Sequence, residues 1–223
     1  MIALENKLTI ALPKGKLFAP SIKLLSQCGF NCTHFSDEAR TLVFNDEEKQ
    51  TSFIICRPTD IPTYVEYGAA DLGIVGKDSL MEAGKNLYEL VDLKYGYCRF
   101  VVAAPRSVLS PEGEYQWKAG LRIATKFPAV AKEFVKGKGL HAEIIKLHGN
   151  IELAPGVGLA ELIVDIVSTG KTLQENNLVP LEEIGSSTAR LVVNRASYRL
   201  KSEAIKHIVA SIKELLQQEG GSP

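Results

Sequence analysis

Short runs of Ile, Val and Phe alternate along this chain with stretches of helical periodicity. That alternation narrows the fold more than any other feature, because strand and crossover helix in succession make parallel sheets. The first unit reads as a strand over Lys7 to Leu12, a Pro13-Lys14-Gly15 turn and a helix from about Lys16 to Gln27. Leu17, Ile22, Leu24 and Leu25 share one face of that helix, and Gly29 stops it. Strands follow at Thr41 to Phe44, Phe53 to Cys56 and Ala70 to Val75, and Leu87 to Leu93 is a further candidate. Between them a helix starts after Asp60, a plausible N-cap with Pro62 early in the first turn, and runs to about Gly68. Gly76-Lys77-Asp78 reads as a turn and Ser79 to Ala83 as a short helix.

A second set of elements begins with a strand over Tyr97 to Ala104. It continues with Leu121 to Thr125 as strand, Pro128 to Val135 as helix and Ala142 to Leu147 as strand. Leu181 to Asn194 reads as one long, partly extended segment. Ser202 to Gln218 is an amphipathic helix with Ile205, Ile208, Val209, Ile212, Leu215 and Leu216 on one side, before a fraying Gly220-Gly221-Ser222-Pro223 tail. The expected architecture is α/β, two small lobes around a central cleft. The chain crosses near Tyr95 to Cys98 and returns near Val179 to Ser187, a return that periodicity alone leaves open.

With 223 residues, of which 45% are hydrophobic and 23% charged, the chain has enough apolar surface for a real core and exceeds a peptide-sized motif. Lys plus Arg and Asp plus Glu both number 26, so no global field draws the protein to nucleic acid or an anionic bilayer. Any anion site must be local. The N-terminus shows no basic region leading into an apolar stretch, and no later run reaches the ~18 apolar residues of a membrane span, which predicts a cytoplasmic protein. Cys28, Cys32, Cys56 and Cys98 form no Cys-x-x-Cys pair, and His34, His141, His148 and His207 never pair closely, so buried reduced thiols are expected and a metallohydrolase is not.

The most informative stretch runs from Glu161 to Thr172: an apolar run carrying Asp165 passes into Ser168-Thr169-Gly170-Lys171-Thr172. Backbone N–H groups and hydroxyls in a turn that opens a helix suit a phosphomonoester. Asp165 is acceptor-only when ionised and suits a sugar diol, so the pair suggests a phosphoribosyl group. The plain alternative is a Thr-Gly turn with Thr172 as helix cap. At the Leu12-Pro13-Lys14-Gly15-Lys16 turn, Lys14 stands where open α/β sheets bind ligands, although such turns are also common on surfaces. Arg57 follows an apolar strand and precedes a proline turn, a position from which a guanidinium clamps phosphate oxygens. Arg40 begins the neighbouring strand pair, with an ion pair to Asp37 or Glu38 as its structural alternative. No Walker A motif, dinucleotide fingerprint, Gly-x-Ser-x-Gly elbow or acid–base carboxylate pair is present.

Several of these stretches together resemble one family. They are Ala11-Leu12-Pro13-Lys14-Gly15-Lys16-Leu17, Arg57-Pro58-Thr59-Asp60-Ile61-Pro62, Gly68 to Asp78, Glu152-Leu153-Ala154-Pro155 and Gly158 to Leu173. In that order they resemble the short, catalytic-subunit form of the ATP phosphoribosyltransferases. The resemblance implies a two-lobed fold of periplasmic-binding-protein type II with a discontinuous first domain. On that basis domain I is expected over residues 1–96 plus 184–223, and domain II, with the phosphoribosyl loop, over 97–183.

It also implies attack of ATP N1 on C1 of phosphoribosyl pyrophosphate, with Mg²⁺ carried by substrate phosphates and no metal ligand among the side chains. Ser168, Thr169, Gly170, Lys171 and Thr172 would bind the 5-phosphate and Asp165 the ribose hydroxyls; Arg40 and Arg57 would face the pyrophosphate and ATP phosphates, with Lys14 close by. Glu161 departs from the family, which more often has Asp there. Implied partners are ATP, phosphoribosyl pyrophosphate, further copies of the chain and a separate regulatory subunit resembling histidyl-tRNA synthetase, because the helix ending at Gln218 leaves no room for the C-terminal regulatory domain of longer members. The alternative from another class is a ligand-sensing module of the same fold without chemistry.

Overall fold

The computed structural model describes residues 7–37 and 40–220. Its first sheet grows from β1 (Leu8–Pro13), whose Leu8, Ile10 and Leu12 enter the core on one face while Ala11 enters on the other. β1 lies parallel to β3 (Thr51–Cys56) on one side and to β4 (Leu72–Gly76) on the other. β2 (Val43–Asp46) pairs antiparallel with β3, β11 (Ala189–Val193) antiparallel with β4, and β5 (Tyr88–Asp92) antiparallel with β11. The order is β2-β3-β1-β4-β11-β5.

Helices cover both faces. On one, α1 (Phe18–Gln27) and α8 (Ser202–Gly220) bring Leu24, Leu25, Ile205, Ile208 and Ile212 against Leu12, Phe53, Ile55, Leu72 and Ile74. On the other, α2 (Ile61–Glu66) sets Ile61 and Val65 on Ala11, Ala70 and Val192, and α3 (Lys77–Ala83) follows β4. Small residues let α2 approach. A Cβ built at Gly73 would stand 2.7 Å from Ile61 Cγ2 and 2.8 Å from Val65 Cγ2. Gly73→Ala is therefore expected to lower stability by about 1–3 kcal/mol through overpacking; a urea midpoint equal to that of the unsubstituted protein would contradict this.

A buried carboxylate ties these layers together. Asp71, 5% exposed, accepts from the Thr9 amide at 2.8 Å, the Ser197 hydroxyl at 2.6 Å and the Lys201 ammonium at 2.8 Å. Ser197 lies on α7 (Arg195–Leu200), capped by the Asn194 side chain, which accepts from the Ala196 and Ser197 amides. The Asn194 amide nitrogen also donates to the Val65 and Glu66 carbonyls at the end of α2.

The second sheet holds β6 (Cys98–Pro105), β7 (Leu121–Thr125), β8 (Ala142–Lys146), β9 (Leu162–Val167) and β10 (Leu178–Ser187) in the order β10-β6-β9-β7-β8. β7, β8 and β9 are parallel, whereas β6 runs antiparallel to β9 and β10 antiparallel to β6. α4 (Pro128–Gly137), α5 (Leu153–Gly156) and α6 (Lys171–Glu175) supply the connections.

Both sheets are thus mixed, where strand–helix alternation predicts parallel pairing. β6 and β11 follow the preceding strand with no helix between, whereas β5 and β10 follow the short helices α3 and α6 and still pair antiparallel. The long segment expected over Leu181 to Asn194 is two strands in different sheets: β10 stays hydrogen-bonded to β6 through Ser187↔Cys98, and β11 starts at Ala189. The chain accordingly divides into one unit up to Gly96 and from Thr188 onward, and another of Tyr97–Ser187. The tail expected to fray, beyond Gly220, lies outside the described residues, as does Glu38.

All four cysteines are free, and burial lifts the thiols of Cys32 and Cys56 to about 11, keeping them protonated. Among the described residues no cluster of three His, Cys, Asp or Glu side chains is placed to hold a metal ion, and no helix is long and apolar enough to cross a membrane.

Candidate active site

In the unit from Tyr97 to Ser187, β9 is central, and its register with β6 and β7 places Asp165 near the carboxyl end of the sheet. The strand is buried up to Val164 and then meets solvent: Asp165 is half-buried, Ile166 is exposed. Asp165 Oδ1 accepts from the Ile166 amide at 2.8 Å, and the other oxygen has no partner among the described residues. Burial lifts the Asp165 carboxyl above its ordinary range; the Ile166 amide and the Lys126 ammonium pull it down, and Glu152 pushes it up.

The turn after β9 holds Ser168, Thr169, Lys171 and Thr172 exposed, with Gly170 partly covered between them. Gly170 sits at φ +82°, left-handed, in the N-cap position of α6. Its missing Cβ would meet only Val167 Cγ1 at an ordinary 3.9 Å, so the requirement for glycine is backbone angle and not space. Because the N-cap is Gly170 and no side chain caps the helix, Thr172 does not serve as cap; Leu173, 5% exposed, pins the helix to the core. Lys171 reaches Glu175 only at 3.7 Å, both exposed.

In the other unit, Pro13↔Cys56 is the last registered pair of β1 and β3, and the Lys14 amide donates to the Cys56 carbonyl at 2.9 Å. Lys14 and Arg57 therefore leave the sheet side by side. Arg40 joins them because β2 runs antiparallel to β3, with Val43 opposite Ile54 and the Ile55 amide donating to the Leu42 carbonyl at 2.8 Å. None of the three cations is in an ion pair among the described residues. Asp37, a structural alternative for Arg40, instead accepts from the Gly15 amide at 2.8 Å and steadies the Lys14 turn. Three cations thus leave one sheet edge, with Asp37 engaged by the Gly15 amide beside them, an arrangement that suits an anion. Asp60 occupies the N-cap of α2, but its side chain makes no cap bond; it accepts from the Thr59 hydroxyl at 3.3 Å.

Of two charged neighbours of Asp165, sequence reading passed over Lys126 and quoted Glu152 without giving it a role. Lys126 is the first residue after β7 and Glu152 the one before α5. The signal for Lys126 was available, since it follows an apolar strand just as Arg57 does. Glu161 is explained by length: both of its oxygens engage the Arg122 guanidinium and one accepts from the Arg122 amide at 2.7 Å, clamping the start of β9 to β7 at the opposite end of the strand from Asp165.

An exposed hydroxyl-rich turn behind a half-buried carboxylate in one mixed sheet, and exposed cations leaving the edge of the other, are the polar features of this two-sheet α/β protein. The fold is similar to that of a substrate-binding protein of an amino acid ABC transporter, with TM-score 0.57, 16% identity and coverage of 95% and 94% of the two chains. The HisG family, ATP phosphoribosyltransferase, matches residues 57–214. ATP phosphoribosyltransferases of Desulfitobacterium hafniense and Moorella thermoacetica are 54% and 56% identical, covering 95% and 96% of this chain and 97% and 96% of theirs. The solved ATP phosphoribosyl transferase (HisG:HisZ) complex from Thermotoga maritima matches with TM-score 0.81 and 36% identity, covering 95% of this chain and 99% of that one. The chain belongs to the ATP phosphoribosyltransferase family.

Proposed function

We propose that this chain transfers the phosphoribosyl group of phosphoribosyl pyrophosphate to N1 of ATP, releasing pyrophosphate, as the first step of histidine biosynthesis. The observation that carries the reading is the end of β9, where the free Asp165 oxygen precedes the exposed Ser168–Thr172 turn. In this reading that unit is the phosphoribosyl-binding domain: Ser168, Thr169, Gly170, Lys171 and Thr172 hold the 5-phosphate, and Asp165 accepts from the ribose hydroxyls. Lys14, Arg40 and Arg57 receive the pyrophosphate and the neighbouring ATP phosphates.

Displacement at the anomeric carbon builds positive charge on the sugar and negative charge on the departing pyrophosphate. Cations fixed in advance at the leaving group stabilise what develops. N1 of adenine brings a lone pair and no proton to remove, so the residues need supply no general base. The family's chemistry implies Mg²⁺, which prefers phosphate oxygens and water with few protein ligands. In this reading the metal is carried in on the substrate, where it would neutralise the pyrophosphate.

The relative from Thermotoga maritima was solved in complex with HisZ. By analogy this chain would self-associate in the cytoplasm and take its histidine feedback from a separate regulatory subunit resembling histidyl-tRNA synthetase. Incubation with ATP, phosphoribosyl pyrophosphate and Mg²⁺, with and without that subunit, is expected to release pyrophosphate. Binding of both substrates without turnover in either case would support a non-catalytic sensing module instead.

A further inference from the structure

We propose that Lys126 is a positioning residue of the phosphoribosyl site, its ammonium standing level with Asp165 and favouring the carboxylate form that accepts from both ribose hydroxyls. The inference rests on the reading of Asp165 given above.

The geometry begins with the register of β7 and β9, which run parallel with Ile123↔Leu162, Ala124↔Ile163 and Thr125↔Val164. Partners in a parallel register stand about 4.8 Å apart and face the same way. One residue further along both chains, Lys126 comes level with Asp165. Its position is fixed from both sides. The fully buried Thr125 accepts the Phe127 amide on its hydroxyl at 2.8 Å and the Leu147 amide on its carbonyl at 2.9 Å. Phe127 in turn packs edge-on against Phe100 with centroids 4.9 Å apart. Between these anchors the Lys126 side chain is exposed, and its ammonium is in no hydrogen bond or ion pair among the described residues.

Asp165 has few other charged neighbours. On the β6 side it registers with Val101, which carries no charge. Glu152 faces it from the turn before α5, and its own strand contributes the Ile166 amide. Lys171, from the following turn, leans to Glu175. Two carboxylates thus share this edge with one nearby cation. Burial and Glu152 both favour protonation of Asp165, and Lys126 is the side chain that opposes them. A protonated Asp165 offers one acceptor fewer and a donor of its own, and fits a diol poorly.

Activity that needs ionised Asp165 falls as pH drops through its pKa, and removing Lys126 raises that pKa. The acid limb of kcat/KM for phosphoribosyl pyrophosphate, measured at saturating ATP, is expected about one pH unit higher in Lys126→Met than in the unsubstituted enzyme. On the acid side this is a roughly tenfold loss that closes as pH rises through the limb, and Lys126→Arg is expected to restore the original limb. The substrate's own phosphate ionisations are common to all three enzymes and cancel in the comparison.

A loss of equal size at every pH would overturn the proposal and mark Lys126 as a direct phosphate contact or a purely structural residue. Asp165→Asn separates the two levels of inference. If it binds phosphoribosyl pyrophosphate as before, the reading of Asp165 fails and this one with it. If it loses binding while the Lys126→Met limb stays in place, only the role of Lys126 falls.

Discussion

Asp71→Ala is expected to cost about 3–5 kcal/mol of folding stability, the range for breaking a buried, hydrogen-bonded ion pair. Folded domains rarely exceed a margin of ~5–15 kcal/mol, so much of the stability of this unit hangs on one carboxylate. The cause is the number of elements it joins. Asp71 accepts from Thr9 on β1, Ser197 on α7 and Lys201 before α8, while its backbone donates to the Thr9 carbonyl and accepts from the Asn194 amide. Removing it leaves a buried amide and hydroxyl unsatisfied and strands Lys201, which keeps only the Lys7 carbonyl at 2.8 Å. Urea denaturation followed by circular dichroism measures the loss. Adding Lys201→Met to Asp71→Ala should recover part of it, since an unpaired ammonium then disappears. A midpoint unmoved by Asp71→Ala would show that the network does not hold these elements together.

How much of this was legible beforehand depends on the range of the interaction. The apolar runs that became β1, β3, β7 and β9 were readable because burial on both faces leaves near-continuous hydrophobic stretches. α8 was readable for the same local reason: Ile205, Ile208 and Ile212 recur at helical spacing and are buried in the structure. Strand direction was not, because the residue types that favour a strand do not encode its polarity. β2 shows the cost of a distant contact. It runs to Asp46, two residues past the expected Phe44, because a buried carboxylate is made acceptable by the Asn31 amide at 3.0 Å and the Lys49 amide at 3.0 Å. Asp71 stood in a quoted motif, yet its partners lie far along the chain and only the fold reveals them.

The candidate site divides in the same way. Asp165 and the Ser168–Thr172 turn are contiguous, so residue type and order were enough to suggest a phosphoribosyl contact. The cationic edge is assembled from three separate segments, and Arg40 reaches it only through antiparallel pairing of β2 with β3. Lys126 required the register of β7 with β9 before its nearness to Asp165 had any meaning.

Of the substitutions at the cationic edge, Arg57→Ala is expected to have the largest effect on turnover. Arg57 leaves the sheet directly beyond Cys56, next to Lys14 and on the side where β2 brings Arg40, and it is exposed with no carboxylate partner among the described residues. A guanidinium there meets ground-state phosphates weakly and a departing pyrophosphate strongly, because charge grows on the leaving group only as the bond breaks. Loss of such a donor costs about 10²–10³ in kcat. KM for ATP should rise far less, and Arg57→Lys should recover only part of the rate, since a point charge cannot reproduce the bidentate fork. The fold should not suffer: Arg57 is exposed and in no ion pair among the described residues, so the thermal midpoint is expected to stay unchanged. Steady-state pyrophosphate release at varied ATP separates the two kinetic constants. An unchanged kcat with raised KM would assign Arg57 to ground-state binding alone and leave leaving-group stabilisation to Arg40 and Lys14.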